Sequence, residues 1–587
     1  MIARLRSKHH QHTVAWCLFL ALTIPTLTVA QSAILSARSV HHPVTGYGGM
    51  VASQEKLATQ AGVQVLREGG NAVDAAVTIG FTLAVTLPRA GNIGGGGFML
   101  VYLADQKQTI AINYREKSPA ASHRDLFLDE NGNADAKKSR YSPVASGVPG
   151  TVYGLCEALE KYGTIPLQRA LQPAIDLAKE GFIVTPFLAN GLKSAKKRMS
   201  QSPAAKAVFY KNKGSLYSIG EKLIQIDLAH TLQLIADQGP AGFYQGETSD
   251  KLVLYMQNNG GLITHDDLLN YRPSHRKPIS AFYRGHRIVT MPPPSSGMTM
   301  LHILKLLETF PLEKYGQNSA QSIHLLAEAC RLAYSDRAEF LGDPDHWAVP
   351  LDYLLSEKYI KQRRNLIDLE QAALSKNVSS SRQSIPYESP ETTHFSVIDR
   401  FGNAVANTYT LNFSYGAHRM APGTGFLLNN EMDDFVSKPG SPNGFGLLGG
   451  DANAIRAGKR MASSMSPTII FQPNGKLYFI TGSPGGSRII TTVTQLISNV
   501  IDHKMNIAEA SHAPRVHHQW FPDLLRIEKG LSPDTLKLLE QRGHRLSLQS
   551  SMGSTQSILT LDGKLFQGCS DPRRRNALTL PASIRSN

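Results

Sequence analysis

Residues 388–412 read ESPETTHFSVIDRFGNAVANTYTLN. Upstream, QAALSKNVSSSRQSIPYESPE at 371–391 carries six serines and two prolines and shows no sustained apolar period. Such a composition cannot bury enough surface to offset its ordering entropy, so it reads as an exposed connector. Downstream the texture changes. HFSVID and NAVANTYTLN are β-rich runs separated by Asp399–Asn403, which predicts a hairpin. Thr392 and Thr393 stand at the junction. Threonine is a good β-former, so one reading is a strand that happens to begin there. A chemical reading needs support from the rest of the chain.

With 587 residues the chain can bury a large core, and 42% hydrophobic with 18% charged residues is the balance of an ordinary globular protein. The N-terminus reads as a secretory leader. Arg4, Arg6 and Lys8 precede the apolar run TVAWCLFLALTIPTLTVA, and Thr28-Val29-Ala30 offers a small-residue cleavage site before Gln31. Residues 1–30 are therefore expected to be removed, leaving an exported protein with no membrane attachment, the periplasm ranking first as its compartment. No later segment has the length of a transmembrane helix. Beyond the leader the cysteines are Cys156, Cys330 and Cys569; an odd count with no zinc-like spacing gives no disulfide framework. The formal charge of +15 falls by three with the leader, and the basic residues are scattered. KQRR at 361–364 and RRR at 573–575 cluster, neither among aromatics, so solvated faces explain them better than a nucleic-acid surface.

Along the chain, Ser53 is placed to cap a helix over EKLATQAGVQVLREGG, and Asn71 to cap a second, AVDAAVTIGFTLAVTL, apolar nearly all round and so expected to be buried. RAGNIGGGGFMLVYLAD runs from glycines into a strand, the reverse of the dinucleotide fingerprint order, so close backbone packing is the better use of those glycines. The middle, about 150–370, reads as mainly helical and holds no internal repeat. LYFITGSPGGSRIITTVTQLISNVIDH predicts a strand, the turn SPGGS at 483–487, and a helix with Ile489, Val493, Leu496, Ile497, Val500 and Ile501 on one face.

Glycine N–H groups at a helix start form an anion-binding concavity, so Gly485 and Gly486 are candidate oxyanion donors; an ordinary tight connection is the alternative. The usual partners of an oxyanion hole are missing: there is no HExxH, no Walker loop and no GxSxG elbow. His517-His518 has no companion motif, and a structural role is expected for it rather than a metal site. A threonine hydroxyl is a weak nucleophile, but threonine at a chain's N-terminus carries its own base, an α-amino group of pKa about 8. A cut before Thr392 would create that base.

TTHFSVIDRFGNAVANTYTLN, LLNNEMDDF, KPGSPNGFGLLGGDANA, SSMSPTI and TGSPGGSRIITT, with RAGNIGGGGFML, NYREKSPA and SGVPGTVYGL in the first half, resemble the γ-glutamyltranspeptidases. These are N-terminal-nucleophile enzymes, and the likeness spans nearly the whole mature chain. It implies an α/β fold, a four-layer αββα sandwich, and a proenzyme that cuts itself between Glu391 and Thr392. The products would be a large subunit, 31–391, and a small subunit, 392–587, associated as a heterodimer. On the family pattern Thr392 is the nucleophile, Thr410 orients it, and Gly485 and Gly486 form the oxyanion hole. Arg115, Ser463 and Ser464 would take the α-carboxylate of the glutamyl group, and Asn412, Glu431 and Asp434 its ammonium. Glu431 is glutamine in some members. The expected substrates are glutathione and related γ-glutamyl compounds, with water, amino acids or dipeptides as acceptors, and no cofactor or metal.

One departure stands in the loop PGSPNGFGLLGG, 439–450, which resembles the family's lid. Position 445 is Phe where many bacterial members carry Tyr, and a phenyl ring cannot donate a hydrogen bond to Asn412. Two other readings follow from the same residues. A related acylase would cut glutaryl side chains from β-lactams and would have no ammonium for Asp434 to hold. A secreted binding protein of the same fold would need a disrupted nucleophile or glycine turn.

Overall fold

The computed structural model describes residues 40–378 and 392–585. The leader, the serine-rich connector from 379 on and Glu391 lie outside the described residues. From Pro43 onward the chain forms one unit built on thirteen strands.

Those strands are β1 (Val44–Ser53), β2 (Gly96–Leu103), β3 (Gln108–Asn113), β4 (Ser274–Arg276), β5 (Ile279–Tyr283), β6 (His286–Thr290) and β7 (Thr393–Asp399). They continue with β8 (Ala404–Thr410), β9 (Thr468–Phe471), β10 (Leu477–Thr481), β11 (Gln556–Thr560), β12 (Phe566–Ser570) and β13 (Leu578–Ser583). A front sheet runs β4-β3-β2-β8-β7-β1-β13, and a back sheet runs β1-β12-β11-β10-β9-β6-β5, all antiparallel. β1 belongs to both: Val44–Gly46 pair with β12, and Gly49–Ser53 pair with β7. The strand changes sheet at Gly48 and Gly49, whose φ angles of 72° and 112° side-chain-bearing residues rarely adopt.

The helices that matter here are α1 (Lys56–Arg67), α2 (Ala72–Thr86), α3 (Thr151–Tyr162), α4 (Leu167–Glu180), α5 (Gly297–Leu307), α6 (Ala320–Phe340), α7 (Ile489–Ile501) and α8 (Pro533–Gln541). On the front sheet, alternation separates two buried faces. Val51, Val101, Val397 and Val405 pack with residues of α1 to α4, whereas Ala52, Leu100, Ile398 and Ala406 face the second core. That second core holds Ile469, Ile480 and Ile558 of the back sheet and the apolar residues of α5, α6 and α7. Helix, sheet, sheet and helix thus stack as four layers. The hairpin expected at 393–410 sits in mid-sheet, and every residue of β7 and β8 is buried.

Asn71 caps α2 as expected, in a capping box with Asp74, and all of α2 is buried. The first cap is a correction. Ser53 is still strand; its Oγ lies 2.7 Å from Thr59 Oγ1, and Glu55 caps α1 by accepting from Ala58 N at 3.0 Å. Two further residues are needed to turn from β1 into the helix, which moves the cap position onto Glu55. The predicted strand–turn–helix unit at 477–501 is present, but a one-turn 3₁₀ helix, Gly486–Arg488, precedes α7.

Candidate active site

Thr392 begins the buried edge of the hairpin. The register sets Thr393 opposite Tyr409, so Thr392 and Thr410 meet at one end of the strand pair. Thr392 Oγ1 donates to Thr410 Oγ1 at 3.4 Å, and Thr410 Oγ1 also accepts from Asn412 N at 2.8 Å. Asn412 adopts φ +78°, a left-handed conformation that asparagine tolerates, and its Nδ2 donates to Asn430 O at 2.9 Å. The turn out of β8 is thereby fixed against the segment carrying Glu431 and Asp434.

The stacking of the sheets brings the glycine turn to this end. His394, two residues after Thr392, lies against Gly482, where any side chain would collide with the imidazole. Gly485 and Gly486 follow, with φ of +139° and +56°. His394 is not the missing base. Its nitrogens lie 2.8 Å from Thr408 Oγ1 and 3.1 Å from Ser396 Oγ, and burial lowers its pKa to about 3. Near neutral pH it is an uncharged strut within the sheet stack.

The residues expected to recognise a charged head group meet one another. Arg115 is fully buried and pairs with Asp434 Oδ2 through Nη2 at 2.6 Å, and with Glu431 through Nη1. Glu116 Oε2 lies 3.6 Å from the same Nη1. Ser463 and Ser464, both buried, follow Ala462, whose carbonyl accepts from Arg115 Nη2 at 3.4 Å. Three carboxyls therefore surround one guanidinium. Burial opposes the charge on Arg115, but Glu431, Glu116 and Asp434 together hold it above the ordinary arginine value. Burial likewise raises the carboxyls against the pull of Arg115: Glu116 to about 7, Asp434 to about 6, and Glu431 well above the usual range. The cluster holds protons at pH 6–7 that isolated carboxyls would have lost.

The sequence reading missed how the lid is fastened. Asn443 Nδ2 donates to Asp434 Oδ1 at 3.0 Å, and Gly444 N donates to Asp433 Oδ2 at 2.7 Å. Arg140 Nε and Ser139 Oγ hold the other oxygen of Asp433 at 3.2 and 2.6 Å. The doubled aspartate in NNEMDDF was the available signal: Asp433 anchors the lid, and Asp434 is shared between the lid and Arg115. Phe445 lies edge-on to Phe413, centroids 5.2 Å apart, and against Gly486, where an added Cβ would come within 2.4 Å of its Cδ1. Its phenyl ring packs between Phe413 and Gly486. His517 and His518 are buried and contact Thr491, Gln519 and Asp523. Cys156, Cys330 and Cys569 are free and buried.

The family model described as Gamma-glutamyltranspeptidase matches residues 58–580. A glutathione hydrolase proenzyme of Escherichia coli (strain K12) is 52% identical over 543 residues, covering 92% of this chain and 93% of that protein. A glutathione hydrolase proenzyme of Pseudomonas sp. (strain A14) is 45% identical over 549 residues, covering 92% and 95%. Among solved structures, a cephalosporin acylase from Bacillus halodurans superposes with a TM-score of 0.81 at 27% identity, covering 92% of this chain and 97% of that one.

Proposed function

The chain belongs to the gamma-glutamyltranspeptidase family, and from that premise we propose how its residues carry out the reaction. The activity is that of a glutathione hydrolase and γ-glutamyltransferase. The observation that carries the assignment of roles is the Thr392 hydroxyl, buried at the start of β7 and bonded to Thr410.

As first residue of a free chain, Thr392 supplies both nucleophile and base. Its α-amino group takes the hydroxyl proton while Oγ1 attacks the γ-carbonyl carbon of the substrate. The resulting oxyanion is stabilised by the N–H groups of Gly485 and Gly486, an effect typically worth about 3–4 kcal/mol per donor. The C–N bond breaks, the proton passes to the departing nitrogen, and cysteinylglycine leaves. Water or an amine then attacks the γ-glutamyl ester on Thr392 and frees the hydroxyl. Arg115 recognises the substrate α-carboxylate with Ser463 and Ser464, while Asp434, Glu431 and Asn412 take the ammonium. A zwitterion entering here exchanges the internal Arg115–Asp434 pair for two pairs of its own, so the buried charges stay matched.

The same hydroxyl makes the active form. In the precursor Thr392 Oγ1 attacks the carbonyl carbon of Glu391, the acyl group moves from nitrogen to oxygen, and water opens the ester. Subunits 31–391 and 392–587 remain associated, because β7 and β8 lie between β1 and β2 of the first half. The leader at 1–30 directs export, with the periplasm as compartment; among the described residues no helix is long and apolar enough to cross a membrane.

Product analysis with glutathione tests this reading. Glutamate and cysteinylglycine are expected in water, and γ-glutamyl-glycylglycine when glycylglycine is added. Absence of glutamate release by the cut protein would overturn it. The likeness to a cephalosporin acylase keeps a second reading in view, in which a glutaryl group occupies the pocket. A glutaryl group has no ammonium, so Asp434 would keep only its internal partners, Arg115 and Asn443.

A further inference from the structure

His324 and Glu328 lie one turn apart on α6, so both project from one face. His544, just beyond α8, comes to the same place from 220 positions along the chain, with its Nε2 2.9 Å from His324 Nδ1. All three side chains are buried, and one donor atom from each lies within 4.8 Å of the others. We propose that His324, Glu328 and His544 bind one divalent transition-metal ion of the zinc class.

The surroundings fix each donor. His324 Nε2 lies 2.7 Å from the Asp368 carbonyl oxygen, which can only accept. The proton therefore sits on Nε2, and the Nδ1 lone pair faces His544. Metal-bound imidazoles are commonly oriented this way, with the far N–H donated to a carbonyl or carboxylate. Glu328 is held by Arg331 through Oε1 at 3.1 and 3.2 Å and by Ala373 N through Oε2 at 3.2 Å, leaving further lone pairs on both oxygens. Arg331 also pairs with Asp523. Glu328 and Asp523 against Arg331 leave the cluster one negative charge in excess, which favours a dication. His544 Nε2 faces the His324 lone pair and can ligate once its own ring proton sits on Nδ1.

Two imidazoles and a carboxylate suit zinc or cobalt rather than calcium or magnesium, which take oxygen donors. Two metal–nitrogen bonds of about 2.0–2.1 Å at a tetrahedral angle place the nitrogens roughly 3.3 Å apart. The rings need open by only a few tenths of an ångström. His324 and Glu328 precede the 391–392 junction and His544 follows it, so the ion fastens the two sides together. It also tethers the backbone from Asp368 to Ala373, which leads toward the connector. Metal binding itself does not depend on where the chain is cut.

The mature protein, dialysed against chelator and then against Zn²⁺ or Co²⁺ in simple buffer, decides the point. One ion per chain by elemental analysis is expected, with a visible Co²⁺ spectrum of four-coordinate intensity. The thermal midpoint should also rise with each tenfold increase in free metal. His544→Gln keeps a donor for His324 Nδ1 but removes the ligand; it should weaken metal binding by more than about 100-fold while glutathione hydrolysis persists. Wild-type protein without stoichiometric zinc and without the cobalt band, or a folded His544→Gln that binds equally well, would reduce the site to a hydrogen-bonded imidazole pair. If the variant does not fold, the cobalt spectrum of the wild-type protein alone decides.

Discussion

At the scale of single residues, the proposed role of Arg115 joins recognition and integrity in one side chain. Its guanidinium compensates carboxyls at 116, 431 and 434, so Arg115→Ala would strand buried negative charge and confound a binding test with misfolding. Arg115→Lys retains the charge and loses the fork. It should lower kcat/KM for glutathione at least about tenfold, as expected for losing a charge-assisted hydrogen bond worth roughly 1.5–3 kcal/mol, with self-cleavage intact. Unchanged kinetics would remove Arg115 from the substrate site. Asp434→Asn separates the two amidase readings: if Asp434 pairs with an ammonium, γ-glutamyl anilide hydrolysis should fall far more than glutaryl anilide hydrolysis. Equal losses would make Asp434 an anchor for Arg115 and the lid alone. The same cluster sets a pH dependence. Glu116 is raised to about 7 from an ordinary 4.5, so between those values the folded state holds more protons than the unfolded one. Stability then falls as pH rises through that window. Glu431→Gln removes another carboxyl that burial raises and should flatten the decline in thermal midpoint between pH 5 and 8; an unaltered slope would show that Glu431 has no share in it.

At the scale of elements, the lid and the glycine turn are one packing unit, because the Phe445 ring occupies the space where a Gly486 side chain would stand. Gly486→Ala introduces a methyl at φ +56° and presses it into that ring. Overpacking of this kind costs about 1–3 kcal/mol, and here it also displaces the N–H proposed as an oxyanion donor, so kcat should fall more steeply than stability. Adding Phe445→Ala should restore much of the stability but not the rate. If the double variant recovered both, the Gly486 N–H would have no part in catalysis. These elements also mark how far the sequence could be read. The hairpin at 393–410, the nearly all-apolar α2 and the strand–turn–helix at 477–501 were legible because period and turn chemistry are local properties. The placement of the α1 cap was not, since Ser53 and Glu55 are both plausible until β1 is known to run through Ser53. The pairing of Arg115 with Asp434 and the latch of Gly444 on Asp433 left no local trace either. The first joins residues 319 positions apart, and the second joins a loop to a 3₁₀ turn; neither alters a periodic pattern.

At the scale of the whole molecule, the fold accounts for a buried strand that begins at the residue proposed to become a chain end. β7 lies between β8 and β1 in mid-sheet, and Thr392 stands just before its first residue, beside Thr410. On the proposed cut, a free amine there would need no mobile element to carry it to the site; the sheet already holds that position in place, and the cut would supply only its basicity. Thr392→Ala should therefore leave a single uncut chain without transferase activity, seen on a denaturing gel and with a γ-glutamyl anilide. That result alone confounds failed cleavage with a missing catalytic hydroxyl. Exporting 31–391 and 392–587 as separate chains resolves it, provided that the second begins at Thr392 once its own leader is removed. Strands β1 to β6 come from the first chain and β7 to β13 from the second, so neither sheet forms without both. Assembly should be obligate, and the wild-type pair should hydrolyse glutathione without ever having cleaved itself. A pair carrying alanine at 392 should assemble to the same size and remain inactive. Activity in that alanine pair, or full activity in an uncut wild-type precursor, would assign the chemistry to some group other than the Thr392 hydroxyl and amine.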